Sequence, residues 1–227
     1  MKKKLIILTG PTAVGKTDLS IRLARTVGGE IISADSMQVY RRMDIGTAKI
    51  RPEEMDGVRH HLIDILEPTE SFNAFLFKEY ALKAANEIWE RGSIPIIVGG
   101  TGFYIQTLLY DIEFAKSDEN DGIRDELNKL YEEHGAAFLH DMLAKVDPEY
   151  AAEVHENNVK KVIRAIEFYR QTGHKLSEHN TEQRERTSPY NFEYFVLSDD
   201  RTVLYERIDK RIDGMVEAGL IAEVQAL

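Results

Sequence analysis

An α/β fold built on a doubly wound parallel sheet is what this sequence predicts, from three observations. Uncharged aliphatic runs recur, as in "KLIILT" (4–9) and "SIPIIVGGTG" (93–102). The stretches between such runs carry apolar residues at helical spacing. Glycine-rich turns close two of the runs, where a strand hands over to a helix. Strands that alternate with helices pair in parallel, with helices covering both faces of the sheet.

In chain order, 4–9 reads as a buried strand. Leu19, Leu23, Ala24 and Val27 give the next segment a helical face, and "GEIISADS" (29–36) is a second strand. "VRHHLIDIL" (58–66) is a third strand candidate, 73–92 a long helix ended by Gly92, and 93–102 another buried strand. From Asp111 to about Tyr190 strand signals vanish. Asp118, Asp147 and Asn158 are each able to cap a helix there. "NFEYFVLS" (191–198) returns to strand character, and 200–227 reads as one continuous helix. The expected organisation is an α/β core from 1–112 and 190–227, interrupted by a helical insertion at 113–189.

Composition sets limits. With 227 residues, 43% of them hydrophobic, the chain can bury one substantial core and a small second one. A membrane span needs about 18 consecutive apolar residues, and no run approaches that length. The absence of cysteine excludes disulfides and thiolate metal sites and fits a cytoplasmic protein. His60 and His61 lack a third ligand at metal spacing and read as structural. A net charge of −10 excludes indiscriminate nucleic-acid binding over the whole surface, but leaves room for a local basic patch.

The residues Gly10, Pro11, Thr12, Ala13, Val14, Gly15, Lys16 and Thr17 satisfy G-x-x-x-x-G-K-[ST], directly after a strand and opening a helix. Glycines let backbone N–H groups converge on an anion, the helix N-terminus adds partial positive charge, Lys16 adds a full one, and Thr17 offers a hydroxyl to Mg²⁺. This phosphate loop (P-loop) predicts phosphate binding without saying whose phosphate. A kinase of a small metabolite or nucleotide is the default. Asp35 falls at the carboxyl end of the second strand, the rim where open α/β sheets collect ligands. There it suits a proton acceptor or a water-mediated metal contact as well as a plain turn cap. Ser36 and Gln38 beside it suit the edge of a base, and Thr101 in "GGTG" brings a hydroxyl to the same rim. Arg207 and Arg211 share a helix face, suited to clamping phosphates or to pairing with Glu206 and Asp209. In 158–175, Lys160, Lys161, Arg164, Arg170 and Lys175 face one acid, Glu167.

Taken together, "GPTAVGKT", "DSMQVYRRMDIGTAK", "HHLID", "GGTGFY" and "VHENNVKKVIRAIE" resemble, in order and approximate spacing, the tRNA dimethylallyltransferases, also called tRNA isopentenyltransferases. The resemblance covers essentially the whole chain. It implies transfer of the dimethylallyl group of dimethylallyl diphosphate to N6 of the adenine on the 3′ side of the anticodon. Lys16, Thr17, the loop amides, Arg207 and Arg211 would hold the diphosphate as leaving group, with Mg²⁺ on Thr17. Asp35 would be the general base, with Thr101 hydrogen-bonding nearby. Asp35, Ser36, Met37, Gln38 and Thr101 would meet the target base. Arg124, Lys160, Lys161 and Arg164, in the insertion, would touch the anticodon stem-loop.

The alternatives weighed against this reading are the small-molecule kinase and a nucleotide switch without chemistry. About 80 residues of helical insertion suit a large polyanion better than a kinase lid. Glu156 and Asn158 stand where the family usually has proline and aspartate, and Lys161 replaces an arginine, keeping charge but not a fork-shaped contact. The family continues beyond the point matching Leu227 with a further basic helical segment, so this chain is expected to be a fragment. A monomer is expected.

Overall fold

The computed structural model describes residues 2–113 and 122–227, so the cap expected at Asp118 lies outside it. In chain order it begins with β1 (Lys4–Thr9), α1 (Lys16–Val27), β2 (Gly29–Ser33), β3 (His60–His61), α2 (Ala74–Glu90), β4 (Ile94–Gly99) and α3 (Gly102–Leu109). Four helices follow: α4 (Ile123–Val146), α5 (Pro148–Glu153), α6 (Val159–Thr172) and α7 (Leu176–Arg184). The chain ends with β5 (Asn191–Val196), α8 (Arg201–Glu217) and α9 (Leu220–Ala226). Two compact units divide it, Met1–Asp111 with Ser188–Leu227, and Ile112–Thr187.

In the first unit all five strands are parallel, in the order β3-β2-β4-β1-β5. Ile6 to Thr9 of β1 lie beside Ile96 to Gly99 of β4, and Ile31 pairs Ile96 on the other side of β4. Side chains alternate faces along a strand, and both Ile96 and Ile97 are fully buried, so both faces of the sheet are covered. Ile96 and Ile31 pack with Ile21 and Ala24 of α1. Phe77, Ala81, Ala85 and Ile88 form the buried stripe of α2, whose first turn is capped by Asn73 Oδ1 accepting from Leu76 N–H at 3.0 Å. This order leaves the carboxyl ends of β1, β4 and β2 side by side, with the phosphate loop leaving the first of them.

Two expectations are corrected here. The strand expected over 58–66 shrinks to His60–His61, because Leu62 and Asp64 adopt left-handed backbone (φ 63° and 55°) that no extended strand tolerates. The helix expected over 200–227 is two helices, broken at Gly219, whose φ of 102° lies between the end of α8 and the start of α9. His60 and His61 are structural. The ring nitrogen Nε2 of His61 lies 2.7 Å from Glu30 Oε2, and Arg91 grips the same carboxylate through two nitrogens.

The second unit is helical throughout its described length. Leu127, Leu139 and Leu143 of α4 pack against Val162, Ile163 and Ile166 of α6, and α4 is interrupted at Gly135 (φ 82°). Asp147 ties two helices together. Its carboxylate caps α5 by accepting from Tyr150 N–H at 3.1 Å, and accepts from the N–H and hydroxyl of Ser177 in α7 at 2.9 and 2.7 Å. Asn158 occupies the N-cap position of α6 with no cap bond from its side chain. Burial opposes ionisation of Asp147, but the Ser177 and Tyr150 donors outweigh it and hold its pKa below the usual value. The stabilisation is therefore complete above the ordinary carboxylate range and is lost as pH falls through the lowered native value. Asp147→Ala is expected to cost about 2–3 kcal/mol, read as a lower urea midpoint at neutral pH, with the gap from the parent chain closing in acid.

Candidate active site

The loop after β1 is shaped by two close approaches. Gly10 has φ 151°, and a Cβ there would lie 2.5 Å from the Leu197 carbonyl oxygen. A Cβ at Gly99 would collide with the Ala34 carbonyl, so the ends of β4 and β2 meet this closely only with glycine at 99. Thr9 Oγ1 donates to the Gly99 carbonyl at 2.9 Å and closes the gap between β1 and β4. Ala13 and Gly15 take left-handed backbone and deliver the chain into α1, which begins at Lys16. Lys16 Nζ spans the loop, donating to the carbonyls of Gly10 and Pro11 at 2.9 and 2.7 Å. Burial lowers its pKa from the ordinary value; Asp35 raises it in part, and Arg211 lowers it further. An arriving anion would reverse that shift by supplying the opposite charge the ammonium lacks. Thr17 follows in the first turn, and its hydroxyl has no partner among the described residues.

Asp35 sits two residues beyond β2. Its Oδ1 accepts from Met37 N–H at 2.8 Å and Gln38 N–H at 3.3 Å, a turn that uses one carboxylate oxygen and leaves Oδ2 without a partner among the described residues. Thus the turn cap and the open carboxylate oxygen coexist in one residue. The Gln38 side chain is engaged throughout. Its Oε1 accepts from Ser33 Oγ at 3.1 Å, and its Nε2 donates to the carbonyls of Thr47 and Ala48 at 3.3 and 3.5 Å. Ser36 is half-buried in the turn and Met37 is exposed. Thr101 starts α3, and its N–H donates to the Ala34 carbonyl at 3.3 Å, which brings it beside Asp35.

A cavity of about 770 Å³ opens between these elements. Its lining includes the loop residues Thr12 to Thr17, Asp35, Met37 and Gln38 after β2, Gly46 to Ala48, Gly99 and Gly100 after β4, Arg211, Ile212 and Met215 of α8, and Leu220 and Glu223 of α9. Arg207 donates to the Ala13 carbonyl at 3.5 Å and to Asp199 Oδ2 at 2.9 Å, so its acidic partner is Asp199 rather than Glu206 or Asp209. The structure thus gathers Thr12 to Thr17 of the loop, Asp35, Met37, Gln38 and Arg211 around one space, whereas Ser36, Thr101 and Arg207 are not among its lining residues.

In the helical unit, Glu167 is buried and organises the basic residues around it. It accepts from Arg124 Nη2 at 2.6 Å and from Arg164 Nη1 at 3.4 Å. Arg170 pairs with Glu126, and Lys175 with Glu178. Lys160 and Lys161 are exposed and have no acidic partner among the described residues.

Sequence reasoning missed two side chains. Lys49, its side chain 4% exposed, donates to the Tyr40 carbonyl at 2.7 Å, Asp44 Oδ1 at 2.6 Å and Asp64 Oδ1 at 2.5 Å, and so braces the segment after Asp35. An ammonium is buried only when paired in this way, and its place in "GTAK" was the available signal. Glu223 of α9 accepts from three successive backbone N–H groups, with nothing in the sequence to announce it.

A phosphate loop in a parallel α/β sheet, sharing with a carboxylate a cavity far larger than a phosphate, is the arrangement of an enzyme that acts on a phosphorylated substrate. The IPP transferase family profile matches residues 38–227. A tRNA dimethylallyltransferase of Lachnoclostridium phytofermentans is 58% identical over 97% of this chain and 70% of its own length. The crystal structure of the tRNA isopentenylpyrophosphate transferase of Bacillus halodurans is 47% identical, with a TM-score of 0.69 over 100% of this chain and 70% of that one. A eukaryotic dimethylallyltransferase captured acting on tRNA is 36% identical, with a TM-score of 0.89 over 99% of this chain and 55% of that one. The chain belongs to the tRNA dimethylallyltransferase family.

Proposed function

We infer that this protein transfers the dimethylallyl group of dimethylallyl diphosphate to N6 of the adenine 3′-adjacent to the anticodon of tRNA. The observation that carries the site assignment is that Lys16 and Asp35 line one cavity and influence each other electrostatically. In the step, the bond between the allylic carbon and its oxygen breaks as the N6–carbon bond forms. Diphosphate departs with the electron pair, and one N6 proton passes to Asp35. Lys16, Arg211 and the loop N–H groups stabilise the growing negative charge on the leaving group. The open Oδ2 of Asp35 orients the weakly nucleophilic amine and accepts its proton once positive charge develops on nitrogen. Thr101 is placed to hydrogen-bond at the same amine. Asp35, Ser36, Met37 and Gln38 form the wall against which the base is received; Gln38 acts by holding that wall, since its amide is already committed.

The loop fits Mg²⁺. Thr17 lines the cavity and its hydroxyl has no partner among the described residues, which suits an ion that keeps most of its waters and borrows substrate phosphate oxygens. When bound, Mg²⁺ supplies charge neutralisation on the departing diphosphate.

The target adenine must leave its stack to reach Asp35, which favours an RNA whose base is already unstacked. The insertion is assigned to holding the stem-loop, with Lys160, Lys161, Arg164 and Arg124 on its phosphates. Lys160→Ala with Arg164→Ala is expected to weaken tRNA binding about tenfold and reduce its salt slope by about one unit or more, while donor affinity stays level. Filter binding across a salt series measures both. An unchanged slope assigns α6 to a solvated surface. No described helix is long and apolar enough to cross a membrane. The place of action is the cytoplasm. The assignment is tested by digesting tRNA after incubation with the protein and donor: one adenosine per molecule should gain the mass of the dimethylallyl group, and unaltered nucleosides would overturn it.

A further inference from the structure

We propose that Glu223 is a positioning residue for the transfer, holding the turn at 44–46 and, through that turn and Gln38, the aim of Asp35. The proposal rests on the reading of Asp35 as the base. Glu223 Oε2 accepts from Asp44 N–H at 2.8 Å and Ile45 N–H at 2.7 Å, and Oε1 from Gly46 N–H at 2.9 Å. Three consecutive amides converge on an anion here, the arrangement by which loops bind phosphates, but the anion is supplied by the chain itself. Burial works against the charged form, yet the amides of Gly46, Ile45 and Asp44, helped by Lys49, hold the Glu223 pKa below its usual value.

None of the residues of α9 is buried, so its docking rests on polar geometry more than on core packing. Gly46 is fitted to it: a Cβ there would lie 3.0 Å from Leu220 Cδ1 and 3.5 Å from Glu223 Oε1.

From the turn the connection to the site is continuous. Residues 47 and 48 follow directly, and their carbonyls accept from Gln38 Nε2. The Gln38 N–H in turn donates to Asp35 Oδ1, the bond that leaves Oδ2 directed away from the turn. Lys49 fastens the end of the same segment to Asp64, and Asp44 is shared between Lys49 and the Glu223 nest. Without the Glu223 carboxylate, three amides lose their acceptor and the 44–48 segment gains freedom that reaches Asp35 through Gln38. Glu223 and the phosphate loop line the same cavity, but the loop is fixed by different bonds. The effect should therefore fall on turnover and spare donor binding.

Glu223→Gln is the direct test, since it keeps the size and one acceptor oxygen but turns an NH₂ against the amides. Single-turnover prenylation of an anticodon stem-loop is measured beside equilibrium binding of dimethylallyl diphosphate. The variant is expected to react about tenfold more slowly, with donor affinity within about twofold. In a cycle with Gln38→Ala, the double variant is expected to be no slower than the slower single variant, because both act along one path. Gly46→Ala presses on Leu220 of the same helix and serves as the reading if Glu223→Gln fails to fold; it too is expected to slow the step and spare donor binding. A normal single-turnover rate in these variants, a donor affinity that falls in step with the rate, or losses that multiply with Gln38→Ala would each overturn the proposal. If the parent chain transfers no prenyl group, the reading of the site fails instead, before Glu223 is tested.

Discussion

Asp35→Asn is expected to fold as the parent chain does, to bind tRNA and dimethylallyl diphosphate nearly unchanged, and to lose prenyl transfer by a factor on the order of 10³. Asparagine can keep the turn, because its side-chain oxygen can still accept from the Met37 and Gln38 N–H groups as Oδ1 does now. What it cannot keep is the second function. Oδ2 is replaced by an amide nitrogen that donates where a proton must be accepted, and the charge that offsets the forming ammonium disappears. The loss should lie in the single-turnover rate at saturating substrates, while a preference for RNA with an unstacked target base persists. Single-turnover quench measurements beside equilibrium tRNA binding make the comparison. A variant with near-normal rates would reduce Asp35 to the turn cap that its Oδ1 already provides.

Lys16→Ala is expected to lower turnover by about 10²–10³-fold and to weaken donor binding as well. Two effects combine. The leaving diphosphate loses the ammonium nearest its growing charge, in a site where that ammonium is already partly desolvated. The loop also loses the bridge between the carbonyls of Gly10 and Pro11, so its amides are held less firmly. Arg211 lines the same cavity and remains, so donor binding should weaken rather than vanish. Titration of donor binding and steady-state turnover check the two effects separately. A loss of turnover below about tenfold, equivalent to about 1.4 kcal/mol, would place the diphosphate elsewhere.

The parts of the fold legible in the sequence were those written in local pattern. The strand, glycine loop and helix of residues 4–27 follow from an aliphatic run, a spacing of glycines and a 3.6-residue period, all of which act over short distances. β3 was overestimated because "VRHHLIDIL" has the composition of a strand, whereas left-handed Leu62 and Asp64 turn the chain there. What outweighs local preference is tertiary: Asp64 is needed at Lys49, which cannot be buried unpaired. The break at Gly219 was written in the sequence as a lone glycine, but a glycine within a helical pattern is tolerated often enough that only its positive φ decides the matter.

The site divides in the same way. The phosphate loop and Asp35 were readable as motifs at a sheet rim, and the structure sets them around one cavity. The pairings were not readable. Arg124 reaching Glu167 from another helix and Glu223 filling a nest 177 to 179 residues away depend on long-range packing, and Arg207 chooses Asp199, outside its helix, over Glu206 and Asp209 within it. A charge in a sequence announces itself, but its partner is fixed by the fold.

The central claim is that the phosphate loop holds a leaving group and transfers no phosphate. Dimethylallyl diphosphate carrying one label in the prenyl carbons and a second in its phosphorus, incubated with unmodified tRNA, Mg²⁺ and ATP, tests this most directly. The account predicts that the carbon label appears in the RNA and the phosphorus label in free diphosphate, in equal amounts, with ATP unconsumed. Phosphorus label in the RNA, or ATP consumed in step with product, would contradict it.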